Sequence, residues 1–91
     1  MKLNDEQLSE IESMASYFFT GEEIAIVLDV DVDDLTDALS DDETAAYRAY
    51  QKGRLKSKLE LRKSILTLAK QGSGPAQSLA LRMLDDAESG D

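Results

Sequence analysis

The sequence predicts an all-α protein: an N-terminal three-helix, helix-turn-helix-like unit, then a long helix and a C-terminal helix that form an antiparallel hairpin. Three observations predict it. A cap residue is followed three positions later by an acid or amide at Asn4/Gln7, Thr20/Glu23, Asp31/Asp34 and Ser40/Glu43, the pattern that satisfies first-turn amides. Proline occurs once, at Pro75, and β-branched residues are sparse. Apolar residues recur at helical spacing.

The first helix is expected over 5–17, with Leu8, Ile11, Met14, Ala15 and Phe18 on its core face. The second, over 21–28, opens on the Thr20/Glu23 capping box and carries Ile24, Val27 and Leu28. The third, over 32–39, carries Leu35, Ala38 and Leu39. The fourth, over 41–71, opens on a Ser40/Glu43 capping box. The fifth, over 75–88, opens at Gly74-Pro75, with proline at the first helical position, where its missing N–H costs nothing. Two regions follow: 1–40 as the helix-turn-helix-like unit, and 41–91 as a helical hairpin suited to oligomerisation.

The stretch LDVDVDDLTDAL, residues 28 to 39, invites two readings. A calcium loop of the EF-hand type needs D-x-[DN]-x-[DN]-G and a glutamate at position twelve. Asp29, Asp31 and Asp33 fit the first part, but Asp34 replaces the glycine and Ser40 the glutamate. A helix-turn-helix fits better. Ile24-Ala25 and Leu28 suit its first helix, Asp29 its turn, Val30 the buried turn position, Asp31 the cap, and Leu35 and Leu39 the second helix. Asp29 stands where glycine is usual, because the backbone there favours positive φ; aspartate is among the better substitutes.

Charge argues against ordinary operator reading by this unit. Residues 1–46 sum to −13, residues 47–71 to +7 and residues 72–91 to −3. From Asp31 to Glu43 there are seven acids and no base. DNA affinity draws on Lys and Arg displacing counterions, and base reading needs Arg, Lys, Asn or Gln. Asp31, Asp34, Asp41, Asp42 and Glu43 are explained by helix caps and first turns, where they suit the dipole.

On a helical wheel of the fourth segment, Leu55, Leu59 and Leu66 share one line. Leu61, Ile65, Leu68 and Ala69 fill the adjoining sector, and Tyr47 and Tyr50 continue that side backward. The apolar arc covers about half the wheel, wider than the stripe of a helix packed on one core. Leu55, Leu59, Leu61, Arg62, Ile65, Leu66 and Leu68 are therefore the candidate oligomer interface. Lys52, Lys56, Lys63 and Lys70 gather on another face. They are the candidate contacts for nucleic acid or for an acidic partner, the plain alternative being a solvated face. Phosphate contact alone would be sequence-independent. Arg54, Lys58 and Arg62, beside the apolar arc, are better placed for ion pairs with a packed neighbour. Gly53 is the one point at which the helix could divide.

The chain has no cysteine and no histidine. Disulfides, thiolate metal sites and the commonest general base are thereby excluded. Gly72-Ser73-Gly74 is too short for a phosphate cradle and lacks the P-loop lysine. No enzymatic activity and no cofactor are expected. The charged start MKLNDEQLSE does not read as a signal peptide, and no apolar run approaches membrane-spanning length, so a cytoplasmic protein is expected.

The order of signals resembles the small-terminase type of bacteriophage DNA-packaging protein. EEIAIVLDVDVDDLTDAL matches the helix-turn-helix, AAYRAYQKG the start of the next helix, and LELRKSILTLAKQGSGPAQSLALRML the hairpin. The resemblance implies a ring-like homo-oligomer in a bacterial host cell. It also implies a role in recognising viral DNA and passing it to a larger motor subunit. The acidic would-be recognition helix departs from that pattern. Two alternatives stand beside it: a helix-turn-helix transcriptional regulator, and an acidic protein-interaction module that binds no DNA.

Overall fold

The computed structural model describes residues 1–90 and is all-helical. Helices α1 (Asp5–Ser16), α2 (Gly21–Leu28), α3 (Val32–Leu39), α4 (Ala45–Lys70) and α5 (Gly74–Glu88) follow in order. Helix α4 packs against α1 and against α5, as expected for a long helix followed by a hairpin. The chain divides into two compact units, residues 1–57 and 58–91. The first half of α4 packs with the helices before it, where Ala46 and Gly53 are buried.

In the first unit, Ile11 from α1, Ile24 and Ala25 from α2, Leu35 from α3 and Ala46 from α4 form the core. Leu8, Met14, Leu28, Val30, Leu39 and Tyr50 pack around it. Two expected core residues are not there. Phe18 lies beyond the end of α1 and is exposed, and Val27 is 60 % exposed on α2. Ala25 is buried on α2 instead, which places Val27 on the outward side of that short helix.

Gly53 does not divide α4; the helix runs unbroken through it. A Cβ at Gly53 would overlap the Glu12 carbonyl and lie 3.0 Å from the Ala15 Cβ. The glycine is thus where α1 and α4 make their close approach.

Three connections end helices in the same way. The residue in the left-handed region is Phe18 after α1, Asp29 after α2 and Gly72 after α4. In each, the next amide donates five residues back: Phe19 to the Met14 carbonyl (3.2 Å), Val30 to Ala25 (3.0 Å) and Ser73 to Leu68 (3.1 Å). These are Schellman closures, which satisfy orphan carbonyls. Asp29, at φ 57° and ψ 44°, holds the conformation expected of it.

The helix starts follow the caps with two exceptions. Asn4 and Thr20 form reciprocal boxes with Gln7 and Glu23, and Asp31 accepts from the Asp34 amide. The expected Ser40/Glu43 box does not form, and α4 begins at Ala45 rather than 41. Ser40 Oγ instead donates back to the Thr36 carbonyl (2.9 Å), at the end of α3. Thr44 is the cap: its Oγ1 accepts from the Tyr47 amide (3.1 Å) and donates to the Ala38 carbonyl (2.7 Å). Helix α5 is capped by Ser73, which accepts from Ala76, so Gly74 takes the first helical position and Pro75 the second.

The second unit is the hairpin of the distal part of α4 with α5. Ala76 is buried, and Ile65, Ala69, Ala80 and Met83 are half-buried. Gln77 Nε2 donates to the Ala69 carbonyl (3.1 Å), which also accepts from the Gly72 amide (3.1 Å), so α5 is tied to the last turn of α4.

Candidate interaction surfaces

The four lysines on α4 do not stand in one environment. Lys56 Nζ lies 2.8 Å from Glu12 Oε2, and Lys52 Nζ lies 3.9 Å from Glu12 Oε1. Both therefore face α1, on either side of the Gly53 close approach. The Lys56 hydrogen bond, with the charges of Lys56 and Lys52, holds the Glu12 carboxyl below the ordinary carboxylate range, against the opposing effect of burial. Lys63 pairs at 3.7 Å with Glu60 one turn away, an exposed contact worth little. Lys70 lies in the last turn of α4, where its charge suits the C-terminal dipole.

The leucines of the two helices are exposed as well. Leu55, Leu59, Leu61, Leu66 and Leu68 are exposed on α4, and Leu79, Leu81 and Leu84 on α5. Ile65 and Arg62 are half-buried. One helix covers only one side of another, so folding α5 back leaves the remaining apolar residues in water. Leu66, Ala69, Gln77, Ala80, Leu81 and Leu84 line an apolar groove of about 540 Å³ in the hairpin. Arg54 lies over the Tyr50 ring, 5.7 Å from its centre, a cation–π contact along the helix. Among the described residues, Arg54, Lys58 and Arg62 make no ion pair.

The first unit carries two further surfaces. Met1, Leu3, Leu8, Ala38 and Ala46 line a hollow of about 360 Å³, with Asp34, Asp37 and Asp41 along the same wall. Among the described residues, no group of three or more carboxylates is gathered in an arrangement that could hold a metal ion. The second surface is the apolar corner where α1 gives way to α2: Tyr17, Phe18 and Phe19 are exposed there, and Ile26 and Val27 are exposed further along α2. Helical periodicity hides this corner, because it counts Phe18 and Val27 with the core. Its one sequence signal is the run Tyr17-Phe18-Phe19 immediately before the Thr20 cap.

Among the described residues, no helix is long and apolar enough to cross a membrane. Comparison with family models, with curated proteins and with solved structures finds no match to this chain.

Proposed function

We propose that this chain is a non-enzymatic adaptor that works as a homo-oligomer in the cytoplasm of a bacterial host. It would belong to viral DNA packaging, as the small-terminase resemblance implies, and hand DNA to a larger motor subunit. The observation that carries the reading is the apolar surface of the hairpin. Leu59, Leu66, Leu81 and Leu84 lie on its two helices and none is buried. Contiguous exposed apolar surface of this kind marks an interaction site. The charge pattern supports an adaptor rather than an operator reader: Asp33, Asp34 and Asp37 are exposed on α3, and no base accompanies them. DNA contact would then be sequence-independent and made by lysines of α4. The same acidic face favours a second reading, a module that engages a basic protein and no DNA.

The test is sedimentation equilibrium of the wild type and of Leu81→Asp/Leu84→Asp. The wild type is expected to be a multiple of the chain mass, and the variant a helical monomer. An equal mass for both would remove the hairpin from the interface, and a monomeric wild type would end the reading. For DNA, a wild-type oligomer that shifts random duplex at low salt and loses it steeply as salt rises supports the packaging role. No shift at any salt supports the protein-binding module.

A further inference from the structure

We propose that the hairpin groove of one copy is filled by the aromatic corner of a second copy, so that the subunits join head to tail. This rests on the reading of the chain as self-assembling, and names the surface that the hairpin meets.

The first observation is backbone strain at Phe18. Of the three Schellman closures, one uses glycine and one aspartate, residues that tolerate the left-handed region. Phe18 sits there at φ 65° with a bulky side chain that is 53 % exposed. About half of the residue's surface is left in water in this strained position, where glycine would be easier. An outlier of this kind is a pointer to function. Its neighbours agree: Tyr17 is 74 % exposed and Phe19 39 %. Three consecutive aromatics exposed to water make an aromatic knob.

The second observation is the groove. It is apolar, lined by Leu66, Ala69, Gln77, Ala80, Leu81 and Leu84, and its volume of about 540 Å³ is of the size that takes apolar ligand groups. Knob and groove share the same apolar character, and each copy carries both.

The third is charge. On α2, Glu22 and Glu23 each precede an exposed apolar residue, Ile26 and Val27, by four positions. Residues so spaced are neighbours on a helix surface. Along the chain these two carboxylates stand between the Tyr17-Phe18-Phe19 run and the exposed Ile26 and Val27. On α4, Lys63 stands three residues before Leu66 and Lys70 four after it, so the α4 edge of the groove is basic, while Asp85 and Glu88, four after Leu81 and Leu84, make the α5 edge acidic. The carboxylates beside the corner fit the α4 edge of the groove on a second copy of this chain. Because knob and groove are different patches, the contact is heterologous; it closes into a ring or runs on as a filament.

The experiment compares assembly with folding. In Phe18→Gly/Ile26→Asp, glycine relieves the strained position, while the introduced carboxylate falls on an exposed site in the last turn of α2, where the helix dipole opposes it; the two effects offset, so the thermal midpoint of a dilute sample should change little. Self-association by sedimentation equilibrium should weaken at least tenfold. Glu22→Lys alone and Lys63→Glu alone should each weaken it, and the double variant Glu22→Lys/Lys63→Glu should recover it. Three results would overturn the inference: unchanged association in Phe18→Gly/Ile26→Asp, no recovery in the charge-swapped double variant, or a wild type that stops at a two-fold dimer. If Leu81→Asp/Leu84→Asp dissociates the protein and Phe18→Gly/Ile26→Asp does not, hairpins pair with hairpins; the adaptor reading then survives and this contact does not.

Discussion

Gly53 and Glu12 show how much the meeting of α1 and α4 rests on single atoms. In an isolated helix, Gly53→Ala would help by about 1 kcal/mol. Here the new methyl meets the Glu12 carbonyl, a backbone atom that cannot swing aside. Overpacking of this kind costs about 1–3 kcal/mol, so Gly53→Ala should lower stability in urea unfolding despite the better helix former. A rise in stability would show that the two helices do not approach so closely. Glu12 gives a pH signature. Lys56 and Lys52 lower its carboxyl pKa in the folded state. Its contribution is therefore present above the unfolded carboxylate value and is lost as pH falls through the lower folded value. Glu12→Gln should be less stable than wild type at about pH 7, and the difference should shrink as pH falls through the acid range below the ordinary carboxylate value. The close approach was not legible in the sequence. Mid-helix glycine reads as a weak point, and only the position of Glu12 and Ala15 in space turns it into a contact.

At the scale of elements, the caps were the most legible feature, and they also misled once. Three of the four cap positions read from spacing form as expected, because a hydroxyl, amide or carboxylate there has one dominant use: the first-turn amides. Ser40 had a second use, as a donor to the carbonyl of Thr36, and Thr44 took the capping role. Thr44→Ala should lower stability by about 1 kcal/mol, the usual loss of a helix cap, measured by thermal or urea unfolding. Ser40→Ala should change it by a few tenths, as an exposed substitution does. The reverse order would restore the box at Ser40. The left-handed turn at Asp29 was legible for a similar reason, since few residues suit that backbone and aspartate is one. Phe18 was not, because a bulky aromatic at helical spacing reads as core. The exposed acids of α3 carry a prediction about its use. Charge reversal of Asp33 and Asp37 to Lys should strengthen binding to duplex DNA while leaving the wild-type sequence preference, if any, unchanged. Loss of an existing preference would make α3 a reader of bases.

At the scale of the whole molecule, the balance of apolar surface decides the account of function. The first unit buries Ile11, Ile24, Ala25 and Leu35 completely and closes a small core. Among the described residues, the hairpin buries Ala76 and leaves its leucines out. Small domains bury a modest share of their surface, and oligomerisation is the common remedy. The width of the apolar arc on α4 foretold this imbalance; which leucines α5 would cover, and where the groove would lie, depended on the hairpin register. The contacts proposed for the groove bring together Glu22 and Glu23 with Lys63 and Lys70, so added salt should weaken assembly moderately. The most direct measurement is the molar mass of the wild-type protein by light scattering at micromolar concentration. A mass at an integral multiple of 10.0 kDa that falls on dilution is the expected result. A mass of one chain at every concentration would contradict it, and the exposed leucines would then be the ordinary surface of a solitary helical protein.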